Sequence, residues 1–168
     1  MSFQSLVRLA QTNGIIGEII YDGPHRLRPL NVNSNGGTPN TVGKAFTYDS
    51  AVDGEAGPGT VGGGAFAGIL AIPKSYALNG TVAGGSLAPT LDLPDYTNAE
   101  LLSMGTMIVD LTIVDTGKIG EGIFFVDATG ALGSGTAAAG QTQITNAKID
   151  RENISGAGLA IITLTEPA

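Results

Sequence analysis

The chain has 168 residues with 15 acidic against 8 basic side chains, a net charge of −7, and no cysteine. Without a thiol there is no thiolate nucleophile, no zinc–thiolate or iron–sulfur ligation and no disulfide framework, and an acidic surface repels phosphate backbones, which disfavours direct nucleic-acid binding. Charged residues make up 14% of the chain while glycine occurs 26 times, a balance that argues against long salt-bridged helices and for a β-rich fold with many turns.

A chain of this length buries a core without a metal or disulfide staple. It reads as an N-terminal arm over residues 1–14 and a single β domain over 15–168. The absence of cysteine fits synthesis in a reducing cytoplasm. No apolar run reaches the roughly 18 to 20 residues of a membrane span. The opening MSFQSLVRLAQTNG lacks a charged region leading into an apolar core, so it reads as no signal peptide. Sequons at Asn79 and Asn153 carry no weight without secretion.

In chain order, Phe3, Leu6, Val7 and Ala10 fall at helical spacing before Asn13-Gly14 stops the pattern. Residues 15–21 (IIGEIIY) read as a strand ended by the turn Asp22-Gly23-Pro24. His25-Arg26-Leu27-Arg28-Pro29 continues extended, because Pro29 drives Arg28 away from helix. Residues 31–40 read as a loop, and 42–48 as a strand with Val42, Phe46 and Tyr48 on one side. Residues 49–64 (DSAVDGEAGPGTVGGG) show no pattern, which predicts a long loop that gains order on a partner. A buried strand over 65–72 ends at Pro73, and 73–94 is again loop-rich. Residues 98–103 (NAELLS) predict one helical turn capped by Thr97.

The strongest signal is the stretch 105–127. Met107, Val109, Leu111 and Ile113 alternate with Thr106, Asp110 and Thr112, and only Ile108 and Val114 break the polar face. A period of two is a half-buried strand. Turn residues over 115–122 then lead to Ile123-Phe124-Phe125-Val126, so the two runs predict a hairpin. Residues 129–143 are small and turn-prone, and further strands follow at 145–149 and 159–164. About seven short strands between Gly, Pro and Asn turns predict an all-β fold: an antiparallel β-sandwich, jelly-roll or small barrel.

The chemical motifs are weak. Gly57-Pro-Gly59-Thr-Val-Gly62 spells G-x-G-x-x-G, but a dinucleotide site needs it between a strand and a helix. GTPNTVGK at 37–44 resembles a phosphate loop with one spacing wrong and Ala45 where a Mg²⁺-binding hydroxyl belongs. His25 is the sole histidine, so no two-histidine metal site exists, and it has no G-x-S-x-G partner motif. Asp92, Asp95 and Glu100 lack calcium-loop spacing and read as solvated carboxylates. Asp110, Asp115 and Asp127 sit at strand edges or turns, and no Trp offers a sugar platform for a glycosidase. No catalytic residue, cofactor or metal is implied. Low charge, abundant small residues and an apolar arm describe a structural or interaction protein better than an enzyme.

Several segments in order resemble the capsid decoration, or structural cement, proteins of tailed bacteriophages. These are GIIGEIIYDGPHRLRP at 14–29, TVGKAFTY at 41–48, GGGAFAGILAIPKSYAL at 62–78, LAPTLDLPDYTNAELLSMGTMIVDL at 87–111, GEGIFFVDATGAL and GLAIITL at 158–164. The resemblance implies a virion protein that sits on the capsid exterior and bridges neighbouring copies of the major capsid protein. It would act as a homodimer or homotrimer, with no nucleic-acid or membrane partner. Phe3, Leu6, Arg8, His25, Arg26 and Arg28, within the arm region 1–30, are the expected contacts, together with the 49–64 loop. A tail or head-completion protein, or a host-surface binding module, is the alternative.

Overall fold

The computed structural model describes residues 14–21, 23–73 and 92–166. Among them the strands in chain order are β1 (Ile19–Ile20), β2 (Arg26–Val32), β3 (Asn40–Thr41), β4 (Ala45–Asp49), β5 (Glu55–Pro58) and β6 (Gly63–Leu70). They continue with β7 (Asp92–Leu93), β8 (Thr97–Val114), β9 (Gly122–Val126), β10 (Leu132–Ser134), β11 (Gln141–Ile149) and β12 (Gly158–Leu164).

Strand β8, at 18 residues, organises the rest. Along its first half it pairs antiparallel with β2, and β2 pairs parallel with β5. From β5 the ladder passes to β4, from β4 to β6, and β6 returns to β8 with Ile69 opposite Leu102 and Leu70 opposite Leu101. That circuit closes a five-stranded ring. Along its second half β8 pairs antiparallel with β12, and the ladder runs through β11, β9 and β10 before β10 returns parallel to β8. A second five-stranded ring closes there. Of the all-β architectures expected, the small closed barrel is present, and it is present twice. Closure removes the open strand edges that invite aggregation.

The hand-over falls at Gly105. Arg26 of β2 stands opposite Met104 and Leu164 of β12 opposite Gly105. Gly105 holds φ +127, and a Cβ there would lie 2.8 Å from the Cβ of His25. Before this point Ala99 and Leu101 point into a core with Phe46, Val32 and Leu70; beyond it Met107, Val109 and Leu111 point into one with Phe125, Ile123 and Ile162. Each fully buried Leu, Ile or Phe contributes about 1.5–3 kcal/mol. Leu102, on the opposite face from Leu101, joins the second cluster, as do Ala45 and Ile69, so that core extends between the rings.

Beyond the parallel pairing of β2 with β5 and of β10 with β8, where antiparallel sheet was expected, four sequence expectations change. The predicted hairpin over 105–127 does not form: β10 is interposed, pairing parallel with β8 and antiparallel with β9. The turn residues of 115–121 instead span the width of a strand. Residues 98–103 are β8, not a helical turn, because pairing with β2 and burial of both Leu101 and Leu102 override local helix preference. Within 49–64 lie β5 and the start of β6, so the expected loop is interrupted by sheet, with Ala56, Gly57 and Pro58 buried. The strand expected over 15–21 shrinks to β1, since residues 15–18 turn, with Glu18 N–H donating to the Ile15 carbonyl. Ile108, the apolar residue on the polar face, is buried because this turn covers it: Gly17 N–H donates to its carbonyl at 2.8 Å and its N–H to the Glu18 carbonyl at 2.9 Å.

Gly59 and Gly130 serve close backbone approach between the rings. Gly59 N–H donates to the Ala45 carbonyl, Ala45 N–H to the Gly130 carbonyl and Thr60 N–H to the Asp127 carbonyl, all at 2.8–2.9 Å. A Cβ on Gly130, where φ is +69, would lie 2.4 Å from the Ala45 oxygen. Gly54 has a similar φ, +83, with nothing within 4 Å of its Cβ position. Gly54→Ala should therefore cost only the left-handed conformation, about 1 kcal/mol, whereas Gly130→Ala should cost about 3 kcal/mol or more because fixed backbone must also move. Urea unfolding of the two variants checks this; equal losses would mean the seam does not constrain the fold.

Candidate contact surface

Of the expected contact residues, Phe3, Leu6 and Arg8 lie outside the described residues. His25, Arg26 and Arg28 fall at the start of β2 and just before it. His25 is exposed and meets Tyr21 edge-on, with ring centroids 4.9 Å apart. The Arg26 guanidinium donates to the Glu166 carboxylate at 2.9 Å, joining the first ring to the chain beyond β12. Both side chains are about half exposed (48% and 62%), so the pair contributes little stability and exchanges readily. Arg28 donates to the Tyr48 hydroxyl and lies over its ring, 5.8 Å from the centroid. Two of the three expected cations are thus engaged within the chain. From 49–64, the turn at Val52 and the tip at Val61 remain exposed.

An apolar groove of about 340 Å³ lies beside the N-terminal segment, lined by Ile15, Gly17, Ile19, Tyr21 and Ile72 with Glu18 and Glu100 at its margins. Ile15 and Tyr21 are more than half exposed. This groove adjoins the point from which residues 1–13 depart.

At the far end of the first ring, where β2 ends and β8 begins, lies a corner that the sequence reading missed. Asp95, expected to be simply solvated, accepts hydrogen bonds from Ser34 N–H (2.7 Å), Ser34 Oγ (3.0 Å) and Asn40 Nδ2 (2.7 Å). The Ser34 N–H is the main reason its carboxyl sits below the ordinary value; burial opposes, and the two side-chain donors add to the lowering. Asn33 Nδ2 donates to Glu55, and Asp92 accepts from Thr41. Next to this cage Tyr96 stands 69% exposed with φ +62. The one sequence signal was Pro94-Asp95, a turn dipeptide opening a strand.

The chemistry offered elsewhere is structural. Among the described residues no three His, Cys, Asp or Glu side chains gather as a metal site. The G-x-G-x-x-G of 57–62 joins β5 to β6 and opens no helix. Asp110 is exposed on β8, and Asp127 accepts from Thr142 Oγ1. Glu121 closes the connection between β8 and β9: it accepts from Gly117 N–H (2.7 Å), Thr116 N–H (3.0 Å), Thr116 Oγ1 (2.9 Å) and Ser134 Oγ of β10 (2.8 Å). Burial by itself would raise this carboxyl, but the four donors outweigh it and hold it below its ordinary value.

A carboxyl lowered in the folded state adds stability above its unfolded pKa and loses it as pH falls through the folded one. For Asp95 and Glu121, with ordinary values of 3.8 and 4.5, the loss begins near those values and continues below them. Glu121→Gln turns an acceptor toward waiting donors into an amide and should cost about 1–3 kcal/mol at neutral pH. Unfolding midpoints from pH 7 to pH 2.5 should show the gap to wild type closing in acid; a constant gap would reject the caged charge.

The described residues form a twin-ring body whose two rings share β8. The family model described as Structural cement protein (E217 gp24/Pam3 gp6) matches residues 3–165. Among solved structures, a chain of "The capsid of Myoviridae Phage XM1" is similar, with a TM-score of 0.63, 14% identity and 98% of each chain covered. At that identity the likeness shows a shared fold. No curated protein gives a significant match. With nearly its whole length matched, the chain belongs to the phage structural cement protein family.

Proposed function

We propose that this protein binds the exterior of the phage capsid and cements neighbouring major capsid proteins, stabilising the DNA-filled head. The family match over residues 3–165 carries the reading. The rigid body supports it: two closed rings share β8, and a stiff bridge transmits load between the subunits it joins. In this reading residues 1–14 form an arm on the β domain of 15–168, the active form is a homodimer or homotrimer, and symmetry closes the assembly. Many copies each burying a modest interface become collectively strong on a shell. Arg8, Arg26 and Arg28 meet acidic patches on the shell, Arg26 by exchanging Glu166 for a partner carboxylate.

Phage heads stripped of this protein should take up the purified chain saturably, to hundreds of copies per head, and gain resistance to heat. No binding, or a handful of copies at one vertex, would instead assign a tail or head-completion role. Alanine at Arg8, Arg26 and Arg28 together should weaken attachment and flatten its dependence on salt; unchanged binding would remove these residues from the interface.

A further inference from the structure

We propose that Tyr96 is a preorganised anchor that inserts into an apolar recess, rimmed by Lys or Arg, on the major capsid protein. This rests on the cement reading above and adds the contact point that reading lacks.

The argument begins with the backbone. Among the described residues three that are not glycine have positive φ: Asn35, Tyr96 and Arg151. Asn tolerates the left-handed region through local hydrogen bonding, but an aromatic residue there is strained. Strain at a site persists only where the surroundings over-determine it, and it concentrates at functional positions. Tyr96 meets both conditions. Its N–H donates to the Val32 carbonyl at 2.7 Å, and the preceding Asp95 is fixed by Ser34 and Asn40. The side chain recovers little from the fold, since it is 69% exposed. A buried Tyr would explain its own presence by packing; this one does not.

What such a residue offers is a large amphipathic surface already aimed. Aromatic anchors with few rotatable bonds lose little freedom on docking and dominate interface energetics when they fill a pocket. The surroundings define the pocket's rim. The charged groups hydrogen-bonded into this corner are all carboxylates: Asp95, Glu55 through Asn33, and Asp92 through Thr41. A recess bordered by cations complements them. Asn35-Gly36, both at positive φ in an exposed turn beside Ser34, adds a flat polar shoulder.

The test uses full-length wild type, Tyr96→Gly and Tyr96→Phe on stripped heads, with thermal unfolding of each free protein. Glycine relieves the left-handed strain, so Tyr96→Gly should melt a few degrees higher, about 2–5 °C, yet bind heads at least about tenfold more weakly. Tyr96→Phe keeps the ring and should bind within about threefold of wild type. Opposite signs for stability and binding separate an anchor from a structural residue, which would lose both. The proposal is overturned if Tyr96→Gly binds heads as wild type does, or melts lower. It is also overturned if sedimentation shows the variant losing self-association while head saturation is intact, which would make a second copy the partner. Wild type failing to bind heads would bring down the cement reading and this inference together, whereas failure of the variant comparison alone leaves the cement reading standing.

Discussion

One strand belonging to two closed ladders is the constraint on which everything else depends. β8 supplies the closing edge for both rings, so neither barrel exists without it. The sharing is possible because Gly105 lets the strand pass the junction with a backbone that side chains avoid, at the place where β2 gives way to β12. A Cβ at that point would collide with His25. Both cores are then registered by one alternating sequence. Ala99 and Leu101 fill one, Met107 through Leu111 fill the other, and a slip of one residue would invert both at once.

Sharing a strand would still leave a hinge if the rings met nowhere else. They do meet, and the contact is backbone on backbone. Ala45, Gly59, Thr60, Asp127 and Gly130 exchange main-chain hydrogen bonds across the gap, while Ala45, Ile69 and Leu102 from the first ring extend the core of the second. Main-chain groups approach this closely where Cβ atoms are missing, which accounts for Gly59 and Gly130 at the seam, while Gly57, Gly62 and Gly64 allow the same close approach within the first ring. Their abundance is a packing device here.

How much of this was legible in the sequence follows from which signals are local. The alternation of 105–113, the run of 123–126 and the strands at 145–149 and 159–164 state their own periodicity, and each is a strand. What failed was partnership. Nothing in 105–127 reveals that three residues of β10, Leu132–Ser134, return from further on to separate its two strands. The signal that makes this work, Glu121 bonded to Ser134, joins residues 13 apart and has no local pattern. Residues 98–103 misled because Leu101 and Leu102 are both buried, which breaks after four residues the alternation that Asn98 begins. Glycine in 49–64 read as the mark of a loop ordered by a partner, whereas much of it marks close backbone packing inside the fold. The residues proposed for contact differ in legibility: His25, Arg26 and Arg28 stand out by charge in the sequence, whereas Tyr96 depends on a backbone conformation that no residue type announces.

These features bear on the proposed role through stiffness. A bridge between shell subunits resists their separation only if it deforms less than the contacts it reinforces. Closed ladders have no open edge from which to fray, and caged carboxylates at Asp95 and Glu121 fix the connections that would otherwise be the softest parts. In the proposed role the surface needs little charge of its own, because an array of many copies makes individually modest contacts collectively strong. Arg26 fits the same logic. Paired with Glu166 in the free protein, its exposed guanidinium is kept from indiscriminate contacts, yet the pair is weak enough to open for a better-placed carboxylate.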